Sequence, residues 1–185
     1  TVALDRSTDT DADALTVKAR GSDQTGLTLT HEESITIDSS TAATTVGTLT
    51  APDATSLTIT GDEDLTITNL ASNTLLASID ASASTGAISV GATANASLAD
   101  MTITAGTGGM EVDGGAGDDT FTGNTGNDSV DGGEGADAFT GGAGNDILHG
   151  GPGNDSLQGN GGDDTFIFNV GDGRDRIEGV NENRE

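Results

Sequence analysis

The chain has 185 residues, with 2% aromatic residues, no cysteine, and 31 Asp and Glu against 6 Lys and Arg, for a formal net charge of -25. So few aromatics cannot fill a wide globular core, and the missing cysteines remove disulfides and thiolate metal sites. The charge excludes nucleic-acid binding by counterion release, which needs Lys and Arg, and disfavours contact with anionic membranes, so cations are the natural partners.

No apolar run reaches the length of about 18 residues that a membrane span needs, so no membrane insertion is expected. The opening at Thr1 and the close at Asn181 to Glu185 read as the edges of an excerpt from a longer protein. Residues 1–14 are polar and acidic, with Asp5, Asp9, Asp11 and Asp13, and are expected to form a polar edge. From Leu15 onward short alternating segments recur: Leu15–Ala19, Leu27–Thr30, Ile35–Ile37, Val46–Thr50, Leu57–Thr60, Leu65–Thr68, Leu76–Ile79, Ala87–Val90 and Met101–Thr104. Each places aliphatic residues on one side and mainly Thr or Ser on the other, the period-two signature of a half-buried strand. Gly, Asp, Asn, Ser and Pro separate them as turn formers.

Two all-β solutions fit such strands, a sandwich and a parallel β-helix. The β-helix is favoured for residues 15–104, because Thr, Ser, Gly and Ala suit a narrow stacked core better than a sandwich interior about 10 Å thick. Stacking onto a following solenoid would also protect an open sheet edge.

Several local patterns carry less. His31-Glu32-Glu33-Ser34-Ile35 begins like a zinc-protease helix motif, but Ile35 stands where the second histidine belongs, so a polar turn is expected. The acids Asp62, Glu63 and Asp64 read as a solvated turn. Thr-x-Thr pairs such as Thr58 and Thr60 or Thr102 and Thr104 resemble the threonine arrays of ice-binding solenoids, yet their sequence spacing is irregular and Thr is an ordinary strand residue.

The dominant feature is a nine-residue repeat from Gly114 to Ile167: GGAGDDTFT, GNTGNDSVD, GGEGADAFT, GGAGNDILH, GGPGNDSLQ and GNGGDDTFI. Glycine holds the first place (Gly114, Gly123, Gly132, Gly141, Gly150, Gly159) and the fourth (Gly117, Gly126, Gly135, Gly144, Gly153, Gly162). Aspartate holds the sixth: Asp119, Asp128, Asp137, Asp146, Asp155 and Asp164. The eighth is apolar: Phe121, Val130, Phe139, Leu148, Leu157 and Phe166. Six residues can turn the chain tightly, because glycine adopts positive φ without steric cost, and three form a short strand whose single apolar residue points inward. Two repeats then make one coil, so that Asp119, Asp137 and Asp155 line one flank while Asp128, Asp146 and Asp164 line the other. Stacked carboxylates repel, and a bound cation between coils would cancel that repulsion and couple binding to folding. Carboxylate and carbonyl oxygens in flexible number suit Ca²⁺ better than Mg²⁺.

Residues 104–113 read as a decayed repeat in which Met110 replaces the aspartate, and residues 168–180 as a terminating turn that keeps Gly171, Gly173, Asp175 and Ile177.

The pattern GGxGxDxUx resembles the RTX (repeats-in-toxin) nonapeptide, a calcium-binding β-helix repeat. The resemblance implies that residues 105–180 form a calcium β-roll, that residues 181–185 are a tail, and that the whole is an all-β parallel solenoid continuing into the roll. It also implies about four complete Ca²⁺ sites, each built between coils from carbonyls at places two and four plus the aspartate of one turn, with carbonyls at places one and three plus the aspartate of the next. The first takes Gly115, Gly117 and Asp119 with Gly132, Glu134 and Asp137. The second takes Asn124, Gly126 and Asp128 with Gly141, Ala143 and Asp146. The third takes Gly133, Gly135 and Asp137 with Gly150, Pro152 and Asp155, and the fourth Gly142, Gly144 and Asp146 with Gly159, Gly161 and Asp164. Partial sites are expected near Met110 and Asp175.

RTX proteins generally leave the cell unfolded by type I secretion and fold on external calcium, which implies a secreted, cell-surface location. The Thr/Ser-rich strands ahead of the roll resemble surface-layer and adhesin-type RTX proteins. A non-catalytic structural segment is therefore expected, with self-assembly into a lattice or contact with surface polysaccharide. The alternative is the accessory module of a secreted protease, lipase or polysaccharide-modifying enzyme.

Overall fold

A computed structural model describes residues 2–5, 14–21, 23–70, 73–91 and 100–179; most of the polar edge and the tail at 181–185 lie outside the described residues. The amino-terminal strands are β1 (Val2–Asp5), β2 (Ala14–Lys18), β3 (Leu27–Thr30), β4 (Ser34–Asp38), β5 (Thr44–Val46), β6 (Leu49–Thr50), β7 (Ser56–Gly61), β8 (Leu65–Ile67), β9 (Ser78–Ser84) and β10 (Ile88–Val90). Then follow β11 (Thr102–Thr104), β12 (Met110–Ala116), β13 (Thr120–Thr122), β14 (Ser129–Glu134), β15 (Ala138–Ala143), β16 (Ile147–His149), β17 (Ser156–Gly161), β18 (Thr165–Ile167) and β19 (Arg176–Glu178). No helix occurs among the described residues, and each strand pairs in parallel with the strand one coil away. The fold is a parallel β-solenoid, which settles the choice between sandwich and β-helix.

Three sheets form its sides. A nine-stranded sheet runs β19-β17-β15-β13-β11-β9-β7-β4-β2, a seven-stranded sheet runs β18-β16-β14-β12-β10-β8-β5, and a three-stranded sheet, β1-β3-β6, closes only the amino-terminal coils. Both long sheets pass without a break from the Thr/Ser-rich part into the nine-residue repeats. The coil length changes on the way: Ser34 and Ser56 on adjacent strands are 22 residues apart, whereas equivalent residues of the repeats are 18 apart.

The third side ends before the coils shorten: Ser56 pairs with Ser78 and Ser78 with Thr102, 22 and 24 residues apart, and the 18-residue spacing begins with Thr102 and Thr120. Among the described residues no strand beyond β6 continues the three-stranded sheet, and the buried Asn73 side chain takes its place: its Oδ1 accepts from the Ala51 amide at 2.5 Å and its Nδ2 donates to the Leu49 carbonyl at 2.9 Å. One side chain thus satisfies a sheet edge that would otherwise leave buried backbone groups unpaired. Leu70 and Leu76, both buried, fill the space beside it.

The predicted strand over Val46–Thr50 is in fact two, β5 and β6, in different sheets. Gly47 makes the corner, where a Cβ would lie 2.5 Å from the Thr25 carbonyl oxygen. Leu76 likewise sits in the turn before β9 and not within the strand.

The core is a set of ladders along the solenoid. In the nine-stranded sheet Ile35, Leu57 and Ile79 stack in register, followed by Ile103, Phe121, Phe139 and Leu157. In the seven-stranded sheet Val46, Ile67, Val90, Val112, Val130 and Leu148 do the same. Phe121 and Phe139 meet edge to face at 6.2 Å, a favoured aromatic arrangement. The eighth place of the repeat therefore continues the apolar ladders of the coils before it.

Candidate metal centre

Turns joining the seven-stranded to the nine-stranded sheet (114–119, 132–137, 150–155) stack along one edge of the roll, and the turns at 123–128, 141–146 and 159–164 stack along the other. The sixth-place aspartates form a vertical ladder on each edge. On the first, Asp119 Oδ1 accepts from the Met101 amide (2.7 Å), Asp137 Oδ1 from the Asp119 amide (2.8 Å), Asp155 Oδ1 from the Asp137 amide (2.9 Å), and Asp175 Oδ1 from the Asp155 amide (3.1 Å). On the second, Asp128 accepts from Met110, Asp146 from Asp128, and Asp164 from Asp146, at 2.7, 2.9 and 3.1 Å.

Each Oδ1 is thus satisfied by the coil before it, and in five of the seven aspartates the other oxygen is not. Oδ2 of Asp119, Asp128, Asp137, Asp146 and Asp155 is buried with no hydrogen-bond partner. Burying an unpaired ionised oxygen is costly, and the group responds by favouring its protonated form. Burial pushes Asp119 and Asp128 up to about 6 and Asp137 to about 7, and raises Asp146 and Asp155. For Asp137 the opposing hydrogen bond from Asp119 is outweighed, and the charges of Asp119 and Asp155 add to the rise.

Backbone oxygens meet these orphaned atoms. A Cβ placed on Gly132 would lie 2.2 Å from Asp137 Oδ2 and 2.5 Å from the Gly150 carbonyl oxygen; on Gly114, 2.3 Å from Asp119 Oδ2 and 2.7 Å from the Gly132 oxygen; on Gly123, 2.5 Å from Asp128 Oδ2 and 1.6 Å from the Gly141 oxygen. First-place glycine is therefore required because carboxylate and carbonyl oxygens crowd that point from two successive coils. Carbonyls at the second and fourth places of one coil also aim at the next. A Cβ on Gly133 would sit 2.0 Å from the Gly115 oxygen, and one on Gly135, whose φ is 145°, would sit 1.9 Å from the Gly117 oxygen. At Gly133 and Gly135 backbone conformation and space both exclude a side chain, whereas the second place of the last repeat takes Asn160 at a φ of 69°.

Among the described residues no three His, Cys, Asp or Glu side chains converge on one point. Carboxylates alone do not make a cage, and carbonyls must supply the remaining oxygens. The donor set fits a hard cation with a flexible coordination shell, and Ca²⁺ is that cation. Residues 113–148 and 140–177 match the RTX calcium-binding nonapeptide repeat (4 copies). The carboxyl-terminal roll is an RTX repeat segment. Its nonapeptides bind Ca²⁺ and form a β-roll. The match does not extend to the strands before residue 113, and no curated protein or solved structure matches the chain.

The geometry of the RTX roll adds features that the repeat pattern left unread. The two methionines both occupy sixth places: Met101 and Met110, 1% and 2% exposed, end the two aspartate ladders at their amino-terminal side. Their amides still serve the next carboxylate while their side chains join the apolar core. The fifth place carries a second, outer ladder. Asp118 Oδ1 accepts from the Ala136 amide, Asn127 from Asn145, and Asn145 from Asp163, each at 2.8 Å. These bonds run in the direction opposite to the sixth-place ladder, so neighbouring coils are tied both ways. The signal was present as Asp or Asn at five of six fifth places, interrupted by Ala136.

At the far end, turn 170–175 is a seventh turn. Gly153 bridges Gly173, Ser156, Leu157 and Gln158 pair with Arg176, Ile177 and Glu178, and the spacing grows to 20 residues. His149 fastens it. Its Nε2 lies 2.9 Å from Asn169 Nδ2 and 3.5 Å from Asp172 Oδ2, and its Nδ1 lies 3.1 Å from Asp131 Oδ1. Asn169 donates to Nε2, leaving Nδ1 as the donor to Asp131. His31, by contrast, sits in the exposed turn before β4 beside Asp53, as a polar turn should.

Proposed function

We propose that this chain is a calcium-dependent structural segment of a secreted bacterial surface-layer or adhesin-type protein, with a Thr/Ser-rich solenoid at 15–104 and a calcium roll at 105–180. The orphaned Oδ2 atoms of five stacked aspartates carry the reading. Each complete site joins two coils: Asp119 with Asp137, Asp128 with Asp146, Asp137 with Asp155, and Asp146 with Asp164, completed by carbonyls at places one to four. Third-place carbonyls of Glu134, Pro152 and Gly161 already accept amides of Gly117, Gly135 and Gly144. They would reach a cation through the second lone pair.

Calcium supplies the charge that the carboxylates require, and the protein supplies the spacing. In calcium-poor cytosol the ionised aspartates keep the roll open, which suits passage through a secretion channel; outside the cell, calcium closes it. The segment is non-catalytic in this reading, and lattice assembly follows once the roll is ordered.

Circular dichroism and isothermal titration of the full chain test it together. Added calcium should increase β structure in chelator-treated protein and bind with a stoichiometry of about four or more ions, each ion joining two coils. Full β structure in chelator at neutral pH, unchanged by calcium, would refute the coupling. Sedimentation with and without calcium then reads assembly, and a strictly monomeric calcium-loaded chain would refute the lattice role.

A further inference from the structure

The coils before and after residue 113 differ in what holds them closed. The coil of 22 residues that starts at Ser56 buries six apolar side chains among its described residues: Leu57, Ile59, Leu65, Ile67, Leu70 and Leu76. The coil of 18 that starts at Thr120 buries two, Phe121 and Val130. Carboxylates show the reverse. In the register of the sheets, the place of Asp119 is taken by Thr55, Ala77 and Met101 in the three coils before it, and the place of Asp128 by Leu65, Ile88 and Met110. Buried apolar area favours a closed coil in any buffer, whereas an orphaned, ionised oxygen opposes closure until a cation arrives.

The two kinds of coil meet without a gap. β12 is a single strand, paired on one side with β10 and on the other with β14 of the roll. Phe121 continues the ladder of Ile79 and Ile103, and Val130 that of Val90 and Val112. Met101 and Met110 donate their amides to Asp119 and Asp128, each 2.7 Å from Oδ1. A closed coil on this side therefore already presents the strand edges, the apolar ladders and the two amides that the first roll coil needs.

We propose, resting on the calcium reading above, that residues 15–104 form a calcium-independent template and that the roll closes on it in one direction, from the turns of Asp119 and Asp128 towards that of Asp164. In a solenoid each coil is held by its own contacts and by the interface with its neighbour. A roll coil closed alone would order its backbone with no such interface to offset the entropy; one that closes against Ile103 and Val112 gains the interface at once. Each complete calcium site needs two roll coils. The ion that joins Asp119 to Asp137 is thus among the first that a templated roll can trap, and each later ion binds at an edge that earlier ones have closed.

Hydrogen exchange of the full chain, read by mass spectrometry, tests this. In chelator at neutral pH the amides of β3, β4, β7 and β8 should exchange slowly, and those of β15 to β18 at the rate of an open chain. After mixing with saturating calcium, pulse labelling should find β13 and β14 protected before β17 and β18. Solenoid amides that exchange freely in chelator overturn the template and leave the calcium reading intact, whereas roll amides already protected there refute both. Simultaneous protection of β13 and β18, or β18 first, overturns the proposal. Two core truncations in one ladder give a second measurement by stopped-flow circular dichroism. Ile103→Ala, beneath the first roll coil, should slow calcium-triggered closure about tenfold, while Leu157→Ala, three coils further on, should leave the closing rate unchanged and hasten opening on chelation. Closure of Ile103→Ala at the wild-type rate, or equal slowing of both variants, overturns the proposal.

Discussion

Replacing Asp137 by Asn should have opposite effects with and without calcium. The Asn side chain keeps an oxygen to accept the Asp119 amide, now 2.8 Å from Asp137 Oδ1, so the substitution isolates the charge. Burial, with the charges of Asp119 and Asp155, raises this carboxyl from 3.8 to about 7 in the folded roll. A raised carboxyl binds more protons folded than unfolded, so its contribution is most favourable at low pH and is lost as pH rises from about 4 through about 7. At 1.36 kcal/mol for each unit, the fully ionised group costs the calcium-free roll about 4 kcal/mol, an upper figure because the turn relaxes around the charge. Asn removes that cost.

Without calcium, the acid-induced β signal of the variant should therefore persist to higher pH than that of the wild type, and the two should agree near pH 4. With calcium the sign reverses, because Asp137 faces two successive coils and serves two sites. The variant should lose more stability towards urea than Asp119→Asn, which loses one site. Circular dichroism against pH in calcium-depleted buffer, and urea melts in saturating calcium, read the two arms. An unmoved acid transition would show that burial of this charge does not oppose folding. Equal losses for the two variants in calcium would refute the pairing of alternate turns.

Other outcomes follow from the same geometry. Asp175→Ala removes the acceptor of the Asp155 amide and the last carboxylate of that edge, and calorimetry should find weakened binding at the carboxyl-terminal site with the opposite edge unaffected. Asn145→Ala cuts the outer ladder at the Asp163 amide and should lower the unfolding free energy read from urea melts by about 1 kcal/mol at unchanged calcium stoichiometry. Phe139→Ala opens the core beside Phe121 and should cost about 3 to 5 kcal/mol by thermal melting in calcium.

Much of this molecule was legible from its residues. A strict nine-residue period dictates coils of 18, because the eighth-place residue and the sixth-place aspartate must recur on the same face of every second turn. Alternation of aliphatic residues with Thr and Ser likewise marked most of the earlier strands, because a half-buried strand has a period of two. Oxygen-only chemistry pointed to calcium before any geometry did.

The period set the offset of 18 within the repeats, but it did not announce which atoms of neighbouring coils bond, and before the repeats, where partners lie 22 to 24 positions away, no local pattern sets the offset. Met110 was legible as a replaced aspartate, but that Asn73 closes the three-stranded sheet, that Met101 ends the other aspartate ladder, and that fifth-place Asx side chains bond against the direction of the sixth became visible only once the coils were stacked. Sequence determined which atoms each turn offers; stacking decided which atoms meet, because in a solenoid every contact beyond the turn is made with the next coil.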